Sequence, residues 1–368
     1  MLLRPAYNIF GVDTDISEIK KDCEKAFNCR SFNSSKENYS TGATYFIRAN
    51  ESPACNLENL ALQIFKHHTK DITYNPAQSG AEWWSQAIDS RDDIGFHWDR
   101  DYGLEEEKGE HVYPNFGTVT YLTNQGGPTL VLDQEGTADN EELVIGSSQQ
   151  FSCSMPAVGK SIAFDGNLLH AAPSDLTEDD EESEDDEEGE DSASEGEDSD
   201  GVKRITFLVN IWIDHVPMHS HRYKLKHAKE LQPVNDKLKL QFDNPAPTNA
   251  TTISLSPKDC NRFKKWEFVH SDVNYAIKMP LPSKEATTAA LQASDIVHYN
   301  YVTSADQGNK PAAGYSGHGI EILISENQPS DAEFSTGEED SQEGSADEEE
   351  NSEEEEVKAK PAAKKRRF

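Results

Sequence analysis

The stretch GFHWDRD, residues 95–101, places a histidine and an aspartate two positions apart. In a β-strand, successive side chains point to opposite faces, so His97 and Asp99 would share one face while Trp98 points away. An imidazole and a carboxylate on one face can bind a metal ion, and they can equally form an ordinary hydrogen-bonded pair. The motif by itself leaves both interpretations open.

A second histidine that can join this pair is His170, which we predict to lie just past the end of the strand SIAFDG. Two histidines and one carboxylate, with other positions left open, are the ligand set of non-haem Fe(II) oxygenases. A structural zinc site closes its coordination, usually with thiolates. No cysteine lies beside either half of the motif. The alternative is a buried His97–Asp99 pair and a strand-end histidine that only satisfies its hydrogen bonds.

An oxygenase that uses 2-oxoglutarate would also need a cation to bind the distal carboxylate of this cosubstrate. Arginine suits this role, because its planar guanidinium can bind a carboxylate bidentately. The next arginine after His170 is Arg204, which opens the strand RITFLVNIW. The intervening residues 178–201 are an acidic tract followed by Gly201. We predict a disordered insertion between neighbouring strands, since loop closure costs grow slowly with length. Thr206 would share the face of Arg204 and add a hydroxyl. The alternative is that Arg204 only neutralises the acidic tract.

The elements that must position these residues are predicted from periodicity. Apolar residues at helical spacing favour two helices near the start of the chain, at 15–28 with Asp15 as N-cap and at 56–70 with Asn56 as N-cap. β-Branched and aromatic runs between turn residues then favour strands at 117–124, 126–134, 159–166 and 203–213. Further strands are predicted at 237–243, 265–279, 295–302 and 319–325, with a helix at 283–293.

The ordered set resembles the Fe(II)/2-oxoglutarate-dependent dioxygenase superfamily, especially its prolyl-hydroxylase-like branch. The resemblance rests on FHWDRD, on TVTYLTN followed by GGPTLVL, on LLHAAP and on RITFLVNIW, and it covers roughly residues 90–215. It implies a mainly β chain, α+β overall, with a double-stranded β-helix (a jelly-roll, cupin-like fold) and N-terminal helices. It also implies Fe(II), 2-oxoglutarate as cosubstrate and ascorbate as a candidate reductant. The implied metal ligands are His97, Asp99 and His170, and the implied cosubstrate contacts are Arg204, Thr206 and Tyr121.

The chain departs from the family's pattern in three places, and the first is that the family's YLN becomes Tyr121-Leu122-Thr123-Asn124, one residue longer. The charged stretch LEEEKGEH after the HxD motif predicts an unusual substrate loop. Relatives that demethylate nucleic acids carry a second arginine six residues after the first, where this chain has Asn210. This difference weighs against a role in base repair.

The net charge of −34 is concentrated in two runs. Residues 178–200 hold 16 acidic side chains and residues 331–356 hold 14. Such acid-rich runs with few apolar residues cannot offset the entropy of ordering, so we predict that both are disordered. They either keep the protein soluble or dock basic proteins, and the overall charge argues against wrapping nucleic acid. The basic end KAKPAAKKRRF is of the nuclear-import type and predicts a nuclear location.

Five cysteines without a zinc or disulfide pattern, and no signal-like or membrane-spanning run, predict a soluble intracellular protein with reduced thiols that does not contact a membrane. We predict five regions: an N-terminal helical support region (1–90), a catalytic double-stranded β-helix core (91–177 and 202–215), a disordered acidic insertion (178–201), a C-terminal β-rich extension (216–330) and a disordered acidic then basic tail (331–368).

The sequence therefore predicts an Fe(II)- and 2-oxoglutarate-dependent dioxygenase that hydroxylates a substrate and releases succinate and CO₂. A protein side chain is the preferred substrate, because the two acidic runs and the basic end suggest that the protein binds macromolecules. A small-molecule substrate is the other possibility. The alternative is a catalytically silent β-barrel whose acidic arms bind basic nuclear proteins.

Overall fold

The computed structural model describes residues 2–4, 6–10, 16–30, 43–136, 146–177, 202–235, 240–242, 249–270, 273–302 and 319–325. The predicted acidic insertion (178–201) and the predicted acidic and basic tail (331–368) lie outside the described residues, as does Asp15, the predicted helix cap. All described residues belong to one compact unit, Met1–Pro329.

Three sheets make up most of the fold, which is mainly β, as the sequence predicted. The first sheet has the order β1 (Tyr7–Asn8), β9 (Lys160–Asp165), β5 (Phe116–Tyr121), β11 (Lys203–Trp212), β3 (Gly80–Asp89) and β2 (Tyr45–Arg48). The second has the order β12 (Ala250–Leu255), β15 (Ile296–Tyr301), β8 (Gln150–Ser154), β6 (Thr129–Glu135), β10 (Leu168–Ala172) and β4 (Ile94–His97). The third has the order β13 (Arg262–His270), β14 (Val273–Leu281), β16 (Ile320–Ile324) and β7 (Gly146–Ser148).

The chain winds back and forth between the first two sheets. Of the strands from β3 to β11, β3, β5, β9 and β11 lie in the first sheet, while β4, β6, β8 and β10 lie in the second. Within these two sets all pairings are antiparallel. Consecutive strands of this set therefore lie in different sheets, except β6 and β8, which pair with each other in the second sheet. In particular β10 and β11, which flank the acidic insertion, lie in different sheets rather than side by side.

The helices are α1 (Ser17–Arg30), α2 (Asn56–His68), α3 (Tyr102–Lys108), α4 (Leu225–Ala228) and α5 (Lys284–Ala293). The apolar faces of α1 and α2 cover the outer face of the first sheet, where Leu60 and Ile64 join Trp83 and Phe207 in one buried cluster. The predicted cap of α2 was wrong by one residue. Cys55 occupies the N-cap position without a side-chain hydrogen bond, and Glu58 accepts from the Ala54 N–H at 2.6 Å instead.

The two faces of strand β11 have different roles: one packs in the hydrophobic core and the other lines a pocket. Side chains alternate in direction along a strand. Its odd-numbered residues, such as Phe207 and Val209, are fully buried against the helices. Its even-numbered residues include Arg204 and Leu208, which line a pocket between the first two sheets. Both faces are covered, which is why the sequence of β11 is a nearly continuous apolar run.

Three sequence predictions differ from the structure. Residues 1–90 were predicted as a helical support region, yet they also provide β3, which pairs with β11 along its whole length, so the boundary at 90 cuts through the first sheet. The predicted strand at 237–243 is not seen in residues 240–242, and 236–239 lie outside the described residues. His170 was placed just past a strand end, but it lies in the middle of β10.

Beyond β11, the chain adds strands to the existing sheets. Strands β12 and β15 extend the second sheet next to β8. The hairpin of β13 and β14 packs against the second sheet, and Phe268 and Ile277 share a buried cluster with Phe96 and Leu132. Within the described part of the chain, no helix is both long and apolar enough to cross a membrane.

Candidate metal centre

His97 and His170 are brought together by strand register. They are direct partners in the antiparallel pairing of β4 with β10, and their ring centroids lie 4.3 Å apart. Strand β4 ends at His97, so Asp99 follows immediately after the strand. The Asp99 carboxylate reaches both imidazoles, with 3.6 Å from Oδ1 to His97 Nε2 and 3.6 Å from Oδ2 to His170 Nε2. The three ligand atoms all lie within 4.8 Å of one another.

The hydrogen bonds of the two imidazoles fix which ring nitrogen faces the centre. His97 Nδ1 lies 2.8 Å from the Gly95 carbonyl oxygen, and His170 Nδ1 lies 2.9 Å from the Leu168 carbonyl oxygen. Because a carbonyl only accepts, each Nδ1 must carry the proton. Each Nε2 then faces the other ligands, and in a neutral imidazole it carries the lone pair, which is the tautomer that a metal-binding histidine requires.

The electrostatics of the three residues favour a bound cation. Burial and the nearby His170 lower the pKa of His97 to about 4, so its imidazole is neutral at pH 7. Burial alone would raise the pKa of Asp99, but the charge and hydrogen bond of His170 outweigh it and bring this pKa down to about 2. Burial also opposes charging His170, but Asp99 raises the pKa of His170 above its usual value. Asp99 is therefore a buried anion that attracts a positive charge to this spot.

Arg204 lies deep between the sheets, and no described residue forms an ion pair with it. Its side chain is 2% exposed, and burial lowers the pKa of its guanidinium. Nη2 donates to Thr129 Oγ1 at 3.3 Å, whereas Nε and Nη1 have no hydrogen-bond partner among the residues that the structure describes. A buried charge that lacks its counterion is costly. The unpaired N–H groups therefore mark a place where an anionic group of a ligand would be stabilised.

A single pocket contains both the three ligand residues and Arg204. Its lining includes His97, Asp99, His170, Thr129 and Arg204. Apolar side chains such as Trp84, Phe164 and Leu208 form much of the remaining wall. A small molecule in this pocket could touch the candidate metal ligands at one end and the guanidinium at the other.

Gly126, in the turn before β6, makes room for the arginine. Its φ of +93° lies in the region that favours glycine, and a Cβ atom there would fall 2.5 Å from Arg204 Cδ. The Gly-Gly turn that contributed to the sequence resemblance thus has a local steric reason.

The other two predicted cosubstrate residues lie behind the pocket wall. The Tyr121 hydroxyl is 2.7 Å from Thr129 Oγ1, and the guanidinium of Arg204 lies 5.8 Å from the centre of its ring. The Thr206 hydroxyl donates to Gln86 Oε1 at 3.5 Å. Thr129 and Gln86 themselves line the pocket, and neither was singled out in the sequence. Thr129 follows the GGP turn directly, and this was the signal that could have found it.

The charged residues after the HxD motif fold into a braced helix. Asp101 accepts from the Leu104 N–H at the start of α3 and lies 2.8 Å from His215 Nε2. Arg100 donates to Glu105 at 2.6 Å. The stretch LEEEKGEH, predicted to form an unusual substrate loop, is thus helical up to Lys108.

Among the described residues, His97, Asp99 and His170 are the one group of three or more His, Cys, Asp or Glu side chains close enough together to hold a metal ion.

Asn210 is 3% exposed and lies within β11. Glu82 is its direct partner in the pairing of β3 with β11. Burial raises the pKa of Glu82, whose carboxylate accepts from Thr44 Oγ1 at 2.6 Å and from Trp212 Nε1 at 2.8 Å.

Comparisons with known proteins give a limited result. Neither a search of protein-family models nor a search of curated proteins finds a match. Among solved structures, a 2OG-Fe(II) oxygenase family oxidoreductase from Burkholderia pseudomallei is 14% identical with a TM-score of 0.29, covering 60% of this chain and 87% of that one. The non-haem alpha-ketoglutarate-dependent carbocyclase SnoK from nogalamycin biosynthesis is 12% identical with a TM-score of 0.32, covering 63% of this chain and 90% of that one. Similarity at this level carries no argument about activity.

Proposed function

We propose that this protein is an Fe(II)- and 2-oxoglutarate-dependent oxygenase. One observation carries the proposal: a single pocket holds two histidines and an aspartate with converging ligand atoms, together with a buried arginine whose Nε and Nη1 have no described hydrogen-bond partner. A metal site alone would not need the arginine, and a buried arginine alone would not need the three ligands.

The donor set fits Fe(II). His97 and His170 would each provide a neutral Nε2 and Asp99 an ionised oxygen, which is the ligand chemistry of non-haem Fe(II) oxygenases with positions left open. The two backbone carbonyls that hold the Nδ1 protons support this geometry, because they orient the rings before any metal binds.

The pocket wall fits a dicarboxylic cosubstrate. Arg204 would bind the distal carboxylate of 2-oxoglutarate through the N–H groups that are otherwise unsatisfied, and Thr129 would add a hydroxyl. Tyr121 supports this contact by holding Thr129, and Thr206 supports it by holding Gln86. Tyr121 and Thr206, which were predicted to contact 2-oxoglutarate directly, would thus act on it through Thr129 and Gln86.

When bound, Fe(II) and 2-oxoglutarate supply the oxidising chemistry, in which O₂ is consumed, 2-oxoglutarate becomes succinate and CO₂, and the substrate is hydroxylated. The chain itself positions the groups. His97, Asp99 and His170 hold the metal on one side of the pocket, and Arg204 fixes the far end of the cosubstrate. The apolar wall formed by residues such as Phe164 limits the access of water.

We propose a double-stranded β-helix as the catalytic fold. The support is the strand order, with β9-β5-β11-β3 in one sheet and β8-β6-β10-β4 in the other. Eight strands that pass between two antiparallel sheets in this way form two interlocking Greek keys, the topology of jelly rolls. The candidate metal ligands then lie on two neighbouring strands of the second sheet, His97 at the end of β4 and His170 on β10, with Asp99 two residues after β4.

The finer assignments rest on the sequence. We propose a protein side chain as the substrate, membership of the prolyl-hydroxylase-like branch, basic proteins as partners of the acidic runs, and the nucleus as the location. The acidic runs and the basic end that motivate these proposals lie outside the described residues. The catalytically silent barrel stays a competing proposal, and the same experiment separates the two.

The test is an anaerobic titration of the protein with Fe(II) and 2-oxoglutarate, followed by the weak visible charge-transfer absorption of the bound pair. Admission of air should then produce succinate. A silent barrel predicts neither the absorption nor succinate, and that result would exclude the proposed function.

A further inference from the structure

Asp99 lies in a stretch of chain that strand pairing does not hold. Strand β4 ends at His97 and helix α3 begins at Tyr102, and residues 98–101 between them form neither strand nor helix. His97 and His170 are fixed by the pairing of β4 with β10, but this pairing does not extend to Asp99. The orientation of the Asp99 carboxylate therefore depends on how the side chains around it are held.

The two chain neighbours of Asp99, Trp98 and Arg100, contact strand β13 of the C-terminal extension. The centre of the Trp98 ring lies 6.2 Å from that of Phe268 and 5.0 Å from that of His270. Arg100 Nη1 lies 3.0 Å from His270 Nδ1. Since side chains alternate in direction along an extended chain, the metal ligands occupy one side of this segment and β13 covers the other.

The hydrogen bond between Arg100 and His270 has a defined direction. A guanidinium can only donate, so His270 Nδ1 accepts. Burial and the charge of Arg100 lower the pKa of His270 to about 4, which leaves the ring neutral and able to accept at pH 7. Arg100 is also held from a second side, because its Nε donates to Glu105 Oε2 at 2.6 Å. With its side chain 11% exposed and two of its nitrogens bonded, Arg100 has little freedom to move.

We propose that His270 is a positioning residue of the candidate metal centre: it holds Arg100 in place and thereby sets the orientation of Asp99. Asp99 and Arg100 share a peptide group, so a displaced Arg100 shifts the backbone that carries the Asp99 carboxylate. A metal site binds well only when its ligands are locked in the productive geometry by their surroundings. The C-terminal extension is then a working part of the site. The inference rests on the proposed function only in requiring that the three ligands bind a divalent metal.

The experiment measures the binding of Co(II), an air-stable probe with a visible spectrum, to the full chain by calorimetry and absorption. His270→Phe keeps an aromatic ring against Trp98 but cannot accept from Arg100. It should weaken Co(II) binding by about tenfold, the lower end of the effect of residues outside the ligand set, because His270 acts through another residue. It should also change the absorption of bound Co(II), which reports the geometry of the ligands.

His298→Phe is the matched control. His298 is 5% exposed, as His270 is, and its Nδ1 lies 2.7 Å from Ser152 Oγ. It lies on β15, which is separated from β10 by two strands of the second sheet, β8 and β6. The control loses a comparable buried hydrogen bond and should keep the wild-type affinity and spectrum. His270→Asn is the rescue variant, because its amide oxygen can accept from Arg100 in place of Nδ1, and it should recover most of the affinity.

The same substitution in an Arg100→Met background tests the route. If His270 acts through Arg100, His270→Phe causes no further loss of Co(II) affinity there. An equal loss in both backgrounds would overturn the positioning role while leaving the proposed function standing. So would a folded His270→Phe protein that melts at a lower temperature but keeps the wild-type affinity and spectrum.

Arg100→Met alone decides if His270→Phe does not fold, since wild-type Co(II) affinity and spectrum in that variant would equally overturn the positioning role. A wild-type protein that binds no Co(II) would overturn the metal centre itself, and with it this inference.

Discussion

Replacement of Arg204 by lysine tests the step from a metal site to a 2-oxoglutarate enzyme. The guanidinium has one neutral partner, Thr129, and two nitrogens, Nε and Nη1, with no hydrogen-bond partner among the described residues. If a carboxylate of the cosubstrate pairs with them, lysine cannot reproduce the two-point contact. A hydrogen bond to a charged group is worth roughly 1.5–3 kcal/mol, so the dissociation constant of 2-oxoglutarate should rise by about ten- to a hundredfold.

The assay is a titration of 2-oxoglutarate into the Fe(II)-loaded protein without oxygen. Arg91→Lys is the control, since Arg91 is an exposed arginine paired with Asp89 at the protein surface. Affinity for 2-oxoglutarate should be unchanged in the control and reduced in Arg204→Lys, while Fe(II) affinity stays the same in both. Equal 2-oxoglutarate affinity in Arg204→Lys and wild type would refute the cosubstrate assignment and leave only a metal-binding barrel.

A second prediction concerns the effect of Arg204 on the thermal stability of the protein. A buried charge without its counterion can often be replaced by an apolar side chain at no loss, or with a gain, in stability. Arg204→Met should therefore melt at the wild-type temperature or higher when no ligand is present. Addition of 2-oxoglutarate and Fe(II) should stabilise the wild type well beyond this variant. A large drop in melting temperature of the ligand-free variant would show that Arg204 is paired in the fold.

Three further predictions concern the ligands, the turn and the insertion. Asp99→Ala should stay folded and lose Fe(II) binding, because two neutral imidazoles lack the anionic ligand; retained succinate formation would contradict the triad. Gly126→Ala should destabilise the fold by at least about 1–3 kcal/mol, because the backbone φ is +93° and the new Cβ overlaps Arg204. Thermal melts would measure this, with Gly95→Ala as the control, since a Cβ at Gly95 meets nothing within 4 Å. Deletion of residues 178–200 should leave the melting temperature and 2-oxoglutarate turnover nearly unchanged, and a large fall in either would make the tract part of the core.

Much of the candidate site could be predicted because its residues carry local signals. His97 and Asp99 share a short motif, His170 follows a strong strand pattern, and Arg204 opens the most apolar strand of the chain. The mainly β character followed from runs of β-branched and aromatic residues. The strand β3 was missed, because GAEWWSQAID has no regular alternation of polar and apolar residues and only one β-branched residue, Ile88.

The sequence by itself determined which residues could supply metal ligands and a carboxylate-binding cation, since these depend on residue type and on spacing along one or two strands. Only the tertiary structure decided that His97 faces His170, since that depends on the register between β4 and β10. It also decided that Arg204 is buried beside the three candidate ligands, with no counterion among the residues that the structure describes. These contacts join segments more than 60 positions apart, and their geometry is set by strand pairing and packing, which no local pattern of residues encodes.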